Sequence, residues 1–365
     1  ALGGERIGHA GIDCGIGARL REGWWPFSFQ APQMKRPLAL LSACLLVLFG
    51  ACAGPTKTRG IPAPEQAELE KEKIALNKER RNFRRVLLQL DQAMDSYVTA
   101  MANRGDPRAD HQVDRISKLL QDVVLDINGS DGKTQVRDHV PGENYRTLKA
   151  LAADSSLPDQ QAIALAALGF SGDMTVMPLI LQGAQLSDPF LVDRAVLGLA
   201  VLKCPGTPPG VLAAIIEDPK HPEDGRAQAA WALYQVQTSC LDQTEIAQIW
   251  RRFLDTEQGS FSPSIIITAV RGLGLTGDPQ HIEAIVPMLK HPTPRLRMAA
   301  AVALGRMNAQ EHWKDLLELL KPQESNPNVR LSARKALARL AGDKDYSYDI
   351  SAWQRVFERG TSDKQ

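Results

Sequence analysis

The chain has 365 residues, 44% hydrophobic and 23% charged, which suits a folded protein with a sizeable core and excludes disorder throughout. Aromatics are only 5% while Ala and Leu abound, a bias that fits close-packed helices and not a sheet core of β-branched and aromatic residues. Five of the 43 Lys/Arg and three of the 42 Asp/Glu precede Cys52, leaving 38 against 39 beyond it; such a near-neutral body has no general electrostatic pull on nucleic acid, and none is expected as a partner.

Residues 1–33 show neither helical nor strand period and are expected to be a non-native or mis-assigned upstream extension, with translation starting at Met34. From Met34 the chain reads as a signal peptide over 34–51: Lys35 and Arg36, an apolar run from Pro37 to Phe49, then small residues before Cys52. The run is too short to span a bilayer as a mature anchor. Its end, Leu48-Phe49-Gly50-Ala51-Cys52, resembles the lipobox of bacterial lipoproteins, although Phe49 stands where that motif usually has Leu. The resemblance implies that the leader is removed and Cys52 is lipidated; the other readings are an uncleaved signal anchor or a simply cleaved leader. Cutting at Cys44 instead would leave an apolar core of only about six residues, short for a leader.

Residues 52–64, rich in Gly, Pro and Thr, read as a flexible tether. A helical hairpin is predicted over 65–128. Leu69, Leu76, Phe83, Leu87, Leu90, Met94, Tyr97 and Met101 share one face, Asn103–Pro107 forms a turn, and Val113, Ile116, Leu120, Val123 and Ile127 make the second stripe. The hairpin either projects as a coiled-coil arm or caps the domain behind it. Lys73 and Arg80 at core-type positions favour capping.

After a connecting segment at 129–156, a unit recurs six times: a small-residue helix ending near Leu168, Leu199, Leu233, Leu273, Leu304 and Leu337, at separations of 31, 34, 40, 31 and 33 residues. Each unit continues through a turn such as Gly172-Asp173 or Gly277-Asp278 into a second apolar helix, Gly taking left-handed geometry and Asp capping the free amides beyond it. Units open on Asp188-Pro189, His221-Pro222, Pro292-Thr293-Pro294 or Asn326-Pro327, since Pro suits a helix start. These residues, above all PRLRMAAAVALG and NPNVRLSARKALARLAGD, resemble HEAT repeats. The resemblance implies an all-α, right-handed α-solenoid of about six HEAT-like, armadillo-type helix pairs over 157–360, behind the hairpin. Unit three departs from the pattern, with Tyr234 in place of Gly. The aromatic run around Tyr346–Trp353 looks like a closing segment that covers the last apolar face.

Gly272-Leu273-Gly274-Leu275-Thr276-Gly277 spells GxGxxG, yet it falls where a helix ends and a turn begins, not after a strand, so it reads as a helix ending. The seven histidines form neither HExxH nor a zinc-spaced cluster, and no GxSxG occurs; no metal, cofactor or catalytic residue is expected, and the chain reads as a non-enzyme. Glu223-Asp224, Asp343 and Asp345 sit at turns, where caps explain them. Cys204 and Cys240 follow the first helices of consecutive units, whose turns lie side by side in a solenoid. In an oxidising compartment they form either a disulfide or two buried thiols.

Arg295, Arg297, Arg330, Arg334 and Lys335, with Arg306, Lys314 and Arg339, gather in the last two units. They are either a partner-binding basic face or a solvated one. Solenoid grooves, usually lined by the second helices, hold extended partners. The expected function is a membrane-anchored scaffold or adaptor for protein partners in the cell envelope, on the periplasmic side, with Ala53 after the cysteine pointing by resemblance to lipoprotein sorting to the outer membrane. Alternatives are an assembly or stability factor for an envelope complex and a HEAT-like lyase-type enzyme.

Overall fold

The computed structural model describes residues 63–102, 107–126, 142–255 and 260–362, and within them all side chains except those of 63–67, 69, 75–81 and 360–362. The upstream extension, the signal-like run, Cys52 and nearly all of the tether lie outside the described residues. Every regular element among the described residues is helical, and none of these helices is long and apolar enough to cross a membrane.

Helices α1 (Ala63–Ala102) and α2 (Pro107–Leu125) form the hairpin. Pro107 opens α2 at the position where its missing N–H costs nothing. The expected stripe is buried at Leu87, Leu90, Met94, Tyr97 and Met101 and is met by Val113, Leu120 and Val124. These residues belong to the same apolar cluster as the body, so this half of the hairpin caps the domain. Toward the start of α1 the side chains of 68 and 70–74 are exposed.

The segment 129–156, read from sequence as a connector, contains a helix, α3 (Glu143–Ala153), which buries Tyr145, Leu148 and Ala152. Six helix pairs follow. Their first helices are α4 (Pro158–Leu168), α6 (Pro189–Leu202), α8 (Glu223–Gln237), α10 (Pro263–Thr276), α12 (Pro294–Arg306) and α14 (Pro327–Leu340). Their second helices are α5 (Met177–Gly183), α7 (Pro209–Glu217), α9 (Thr244–Asp255), α11 (Ile282–Ile285), α13 (Trp313–Leu320) and α15 (Ile350–Ser362). First helices stack side by side as one layer, and each second helix through α13 packs on the first helix of the next unit, α11 through the 3-10 turn Val286–Lys290 that continues it. No pair closes its apolar face alone, which is why the stack forms.

Small residues set the spacing of the first-helix layer. A Cβ on Gly169 would stand 2.3 Å from the Gly198 carbonyl oxygen, and one on Gly274 would stand 2.5 Å from Ala303 Cβ. The turns behave as their sequences predict: Gly172 and Gly277 are left-handed, and the Asp173 and Asp278 carboxylates accept from the Thr175 and Gln280 amides. Asp188 and Asn326 likewise cap α6 and α14. Unit three solves its junction differently. Gln237, fully buried, accepts from Trp250 Nε1 and donates to the Gly272 carbonyl, both at 2.8 Å. At the far end Trp353 is buried with Tyr346 on its edge, and Phe357 stacks on Trp313, closing the last apolar face.

Candidate interaction face

In four of the six units the residue seven places before the anchoring Leu points back to the element that precedes its helix. Arg226 Nε donates to the Ile216 carbonyl at 2.7 Å and Arg330 Nε to the Leu320 carbonyl at 3.2 Å, satisfying acceptors that a helix end leaves open. Gln161 does the same for Ala152 at 3.0 Å, so α3 stands where the second helix of a preceding unit would stand. Arg297 goes further: its guanidinium bonds both Glu324 oxygens at 2.8 Å and the His291 and Pro292 carbonyls.

The same kind of contact accounts for several of the basic residues that the sequence gathers in the last two units. Arg297 is drawn inward, Arg330 caps a helix and lies over the Tyr348 ring, and Arg334 grips Asp345 through Nε and Nη2. The Arg334 hydrogen bonds hold the Asp345 carboxyl below its ordinary value. Arg295 is exposed but also has contacts within the chain. Of the five, Lys335 is the one whose exposed side chain fits an outward role.

The open side of the first-helix layer is instead marked by α1, a relationship with no signal in the sequence. Arg194 of α6 approaches Asp91 at 2.9 Å and Asp95 at 3.6 Å, and Tyr97 sets its ring edge on Phe170, just past α4, at 5.1 Å between centroids. Besides capping the first unit, α1 reaches the second through Arg194. Six residues of helix between Tyr97 and Asp91 span about 9 Å, the usual distance between packed helices. Thus α1 packs on α4 and reaches α6 through the Arg194 ion pairs, and the side it covers at this end is that of the first helices.

In the last three units the same side carries two columns; in unit three the corresponding Trp231 and Gln235 are buried. Two residues before the anchoring Leu stand Arg271, Val302 and Lys335; two residues after it stand Leu275, Arg306 and Arg339. Lys335 is exposed and the other five are half-buried. Each pair is four residues apart, one helical turn, and therefore shares a face. Helices α10, α12 and α14 contain no Asp or Glu at all.

Cys204 is buried and Cys240 half-buried, and both are free thiols in this structure. The Cys240 thiol points at the Val236 and Pro205 carbonyls, 3.4 and 3.8 Å away. Burial, then the neighbouring Cys204 and Asp242, push it above its ordinary value, which keeps it protonated and a poor nucleophile at neutral pH. The repeat does bring the two cysteines close, but unbonded.

The GxGxxG run has steric reasons for its glycines: Gly272 leaves room for the Trp250 indole, Gly274 for Ala303, and Gly277 is left-handed. His221 Nε2 lies 2.8 Å from Asp193 Oδ1, and Gly225 leaves room for both. Burial raises the Asp193 carboxyl despite its histidine partner, and the Gln228 amide holds the Asp193 carbonyl, so the pair ties α6 to the start of α8. His312 bridges Asp315 and Glu283 of the preceding unit. Among the described residues no group of three His, Cys, Asp or Glu could hold a metal ion.

Residues 254–338 match the family model described as HEAT repeats; this stretch runs from the end of α9 to most of α14. A comparison with curated proteins found no match. Among solved structures, the chain is similar to the complex of CpcE and CpcF of phycocyanin lyase from Nostoc sp. PCC7120, at 15% identity and a TM-score of 0.32, over 70% of this chain and 90% of that one.

Proposed function

We propose that this chain, a HEAT-repeat protein, is a membrane-tethered scaffold that holds protein partners on the open side of its first-helix layer. HEAT repeats make helical platforms for protein interaction, and a stacked array offers a long continuous surface instead of a pocket. The observation that carries the reading is that α1 packs on α4 and pairs its acids with Arg194 of α6, with Tyr97 on Phe170 one unit away.

The tether comes from the sequence: Lys35-Arg36, the apolar run and Leu48–Cys52 support an acylated Cys52. Acyl chains together hold a protein stably where one alone is marginal. In this reading the partner is a protein of the cell envelope, the body faces the periplasm, and the anchor sits in the outer membrane. The test is crosslinking and affinity recovery of the full chain from membranes beside a Cys52→Ser form. The expected result is a partner recovered in fixed stoichiometry and a Cys52→Ser protein lost from the membrane fraction. A small-molecule turnover abolished by one point substitution would overturn the scaffold, and membrane retention of Cys52→Ser would overturn the anchor.

A further inference from the structure

We infer that the two columns on α10, α12 and α14 are a docking site for an acidic amphipathic helix of a protein partner. The inference rests on the scaffold reading and deepens it by naming the partner's chemistry.

Three observations fix the occupant. The first is charge: the columns present Arg271, Lys335, Arg306 and Arg339 around Leu275 and Val302, on three helices without a single acidic residue. Basic side chains flanking apolar ones complement a helix with acids beside an apolar stripe. The second is precedent: α1 brings Asp91 and Asp95 to Arg194 and its apolar Tyr97 to Phe170 on this same side, two to four units away. The third is the charge of α1 itself. Just N-terminal to its apolar stripe α1 carries Arg84 and Arg85, whose side chains are exposed. Two exposed arginines do not complement the basic columns, which suit a helix of opposite charge.

The spacing specifies the ligand further. First helices lie roughly 8–10 Å apart, so a helix crossing them at 1.5 Å per residue meets successive units with side chains about six or seven residues apart, as Asp91 and Tyr97 of α1 do. Among these it must carry apolar side chains for Leu275 and Val302. Arg271 and Arg306 already hold contacts within the chain, so Lys335 and Arg339 carry the discrimination.

The probe is a helix-stabilised, fluorescently labelled peptide of residues 86–101, which contains Asp91 and Asp95 and the apolar stripe of α1. Its binding to the full chain is followed by anisotropy. The expected result is saturable binding that weakens about tenfold or more in the double variant Lys335→Glu, Arg339→Glu, weakens similarly when both peptide acids become Asn, and declines with added salt. Circular dichroism and thermal unfolding of the double variant are expected to match the parent, since Lys335 is exposed and Arg339 only half-buried. Equal binding by parent and variant, or by the acid-free peptide, would overturn the inference, as would a DNA duplex that binds these positions more tightly than the peptide. If membrane crosslinking recovers a partner whose yield ignores the double variant, the scaffold stands and this site falls. If the peptide binds as expected but no partner is recovered, the site stands and the scaffold role falls.

Discussion

Arg297 and Glu324 show how much of this chain's charge is spent internally. Their side chains are only 16% and 7% exposed and meet through two hydrogen bonds of 2.8 Å. Burial alone would raise the Glu324 carboxyl, but the Arg297 hydrogen bonds, the Asn326 amide and the guanidinium charge outweigh it and leave it below its ordinary value. Replacing Arg297 by Met strands that carboxylate, and breaking such a pair costs about 3–5 kcal/mol. A carboxylate held low in the folded state contributes stability that is present above its ordinary value of 4.5 and is lost as pH falls through the folded value. The gap between parent and Arg297→Met is therefore expected to be full at neutral pH and to shrink progressively below about pH 4. Urea unfolding of both proteins across that range checks it; a gap independent of pH would show that the ion pair is not its source.

At the scale of helices, the repeat is legible in the sequence because close approach demands small residues at fixed places. Gly169, Gly274 and Gly305 each sit one residue past the anchoring Leu and face a residue just before the next anchor, namely Gly198, Ala303 and Ala336. That constraint leaves a periodic mark, and the turns and caps leave another. Helix α3 does end on Ala150-Leu151-Ala152-Ala153, but it lies outside the recurring spacing, and its place in the stack is revealed by Gln161 reaching the Ala152 carbonyl. The arginines are hard to place for a related reason. Composition places them in one region, whereas their offset from the anchor decides whether they turn back to a helix end, as Arg330 does, or outward, as Lys335 does. The glycine argument makes a sharp prediction. In Gly169→Ala the new Cβ meets the backbone of Gly198, which no rotamer change can move, so α4 and α6 must part at a cost of about 3 kcal/mol, the upper end for overpacking. Gly210→Ala, in the first turn of α7 with nothing within 4 Å, is expected to be neutral or to stabilise by roughly 0.5 kcal/mol. Thermal unfolding of the two variants side by side decides it; comparable losses would mean that the crossing is looser than the contact implies.

Across the whole molecule, the solenoid's neighbours-only contacts make its two ends energetically distant, and α1 is the element that bridges more than one unit. The pairing of Asp91 and Asp95 with Arg194, some hundred residues on, has no local sequence signal, because nothing in an amphipathic helix says which surface its polar edge will meet. That bridge can be cut with one substitution. Arg194→Glu sets a third carboxylate against two, in a place where the arginine is only 17% exposed, while Tyr97 on Phe170 and the stripe from Leu87 to Met101 still hold the hairpin to the first unit. Local opening of α1 around residues 86–96 then becomes cheaper by roughly 1–3 kcal/mol, a factor of about ten to a hundred in amide exchange. Because coupling in a stack passes through successive interfaces, amides of α10 to α14 are expected to keep their protection. Hydrogen exchange resolved along the chain reads both effects at once. Faster exchange spread evenly from α1 to α14 would show instead that the array opens as a single cooperative unit and that α1 is one contact among many.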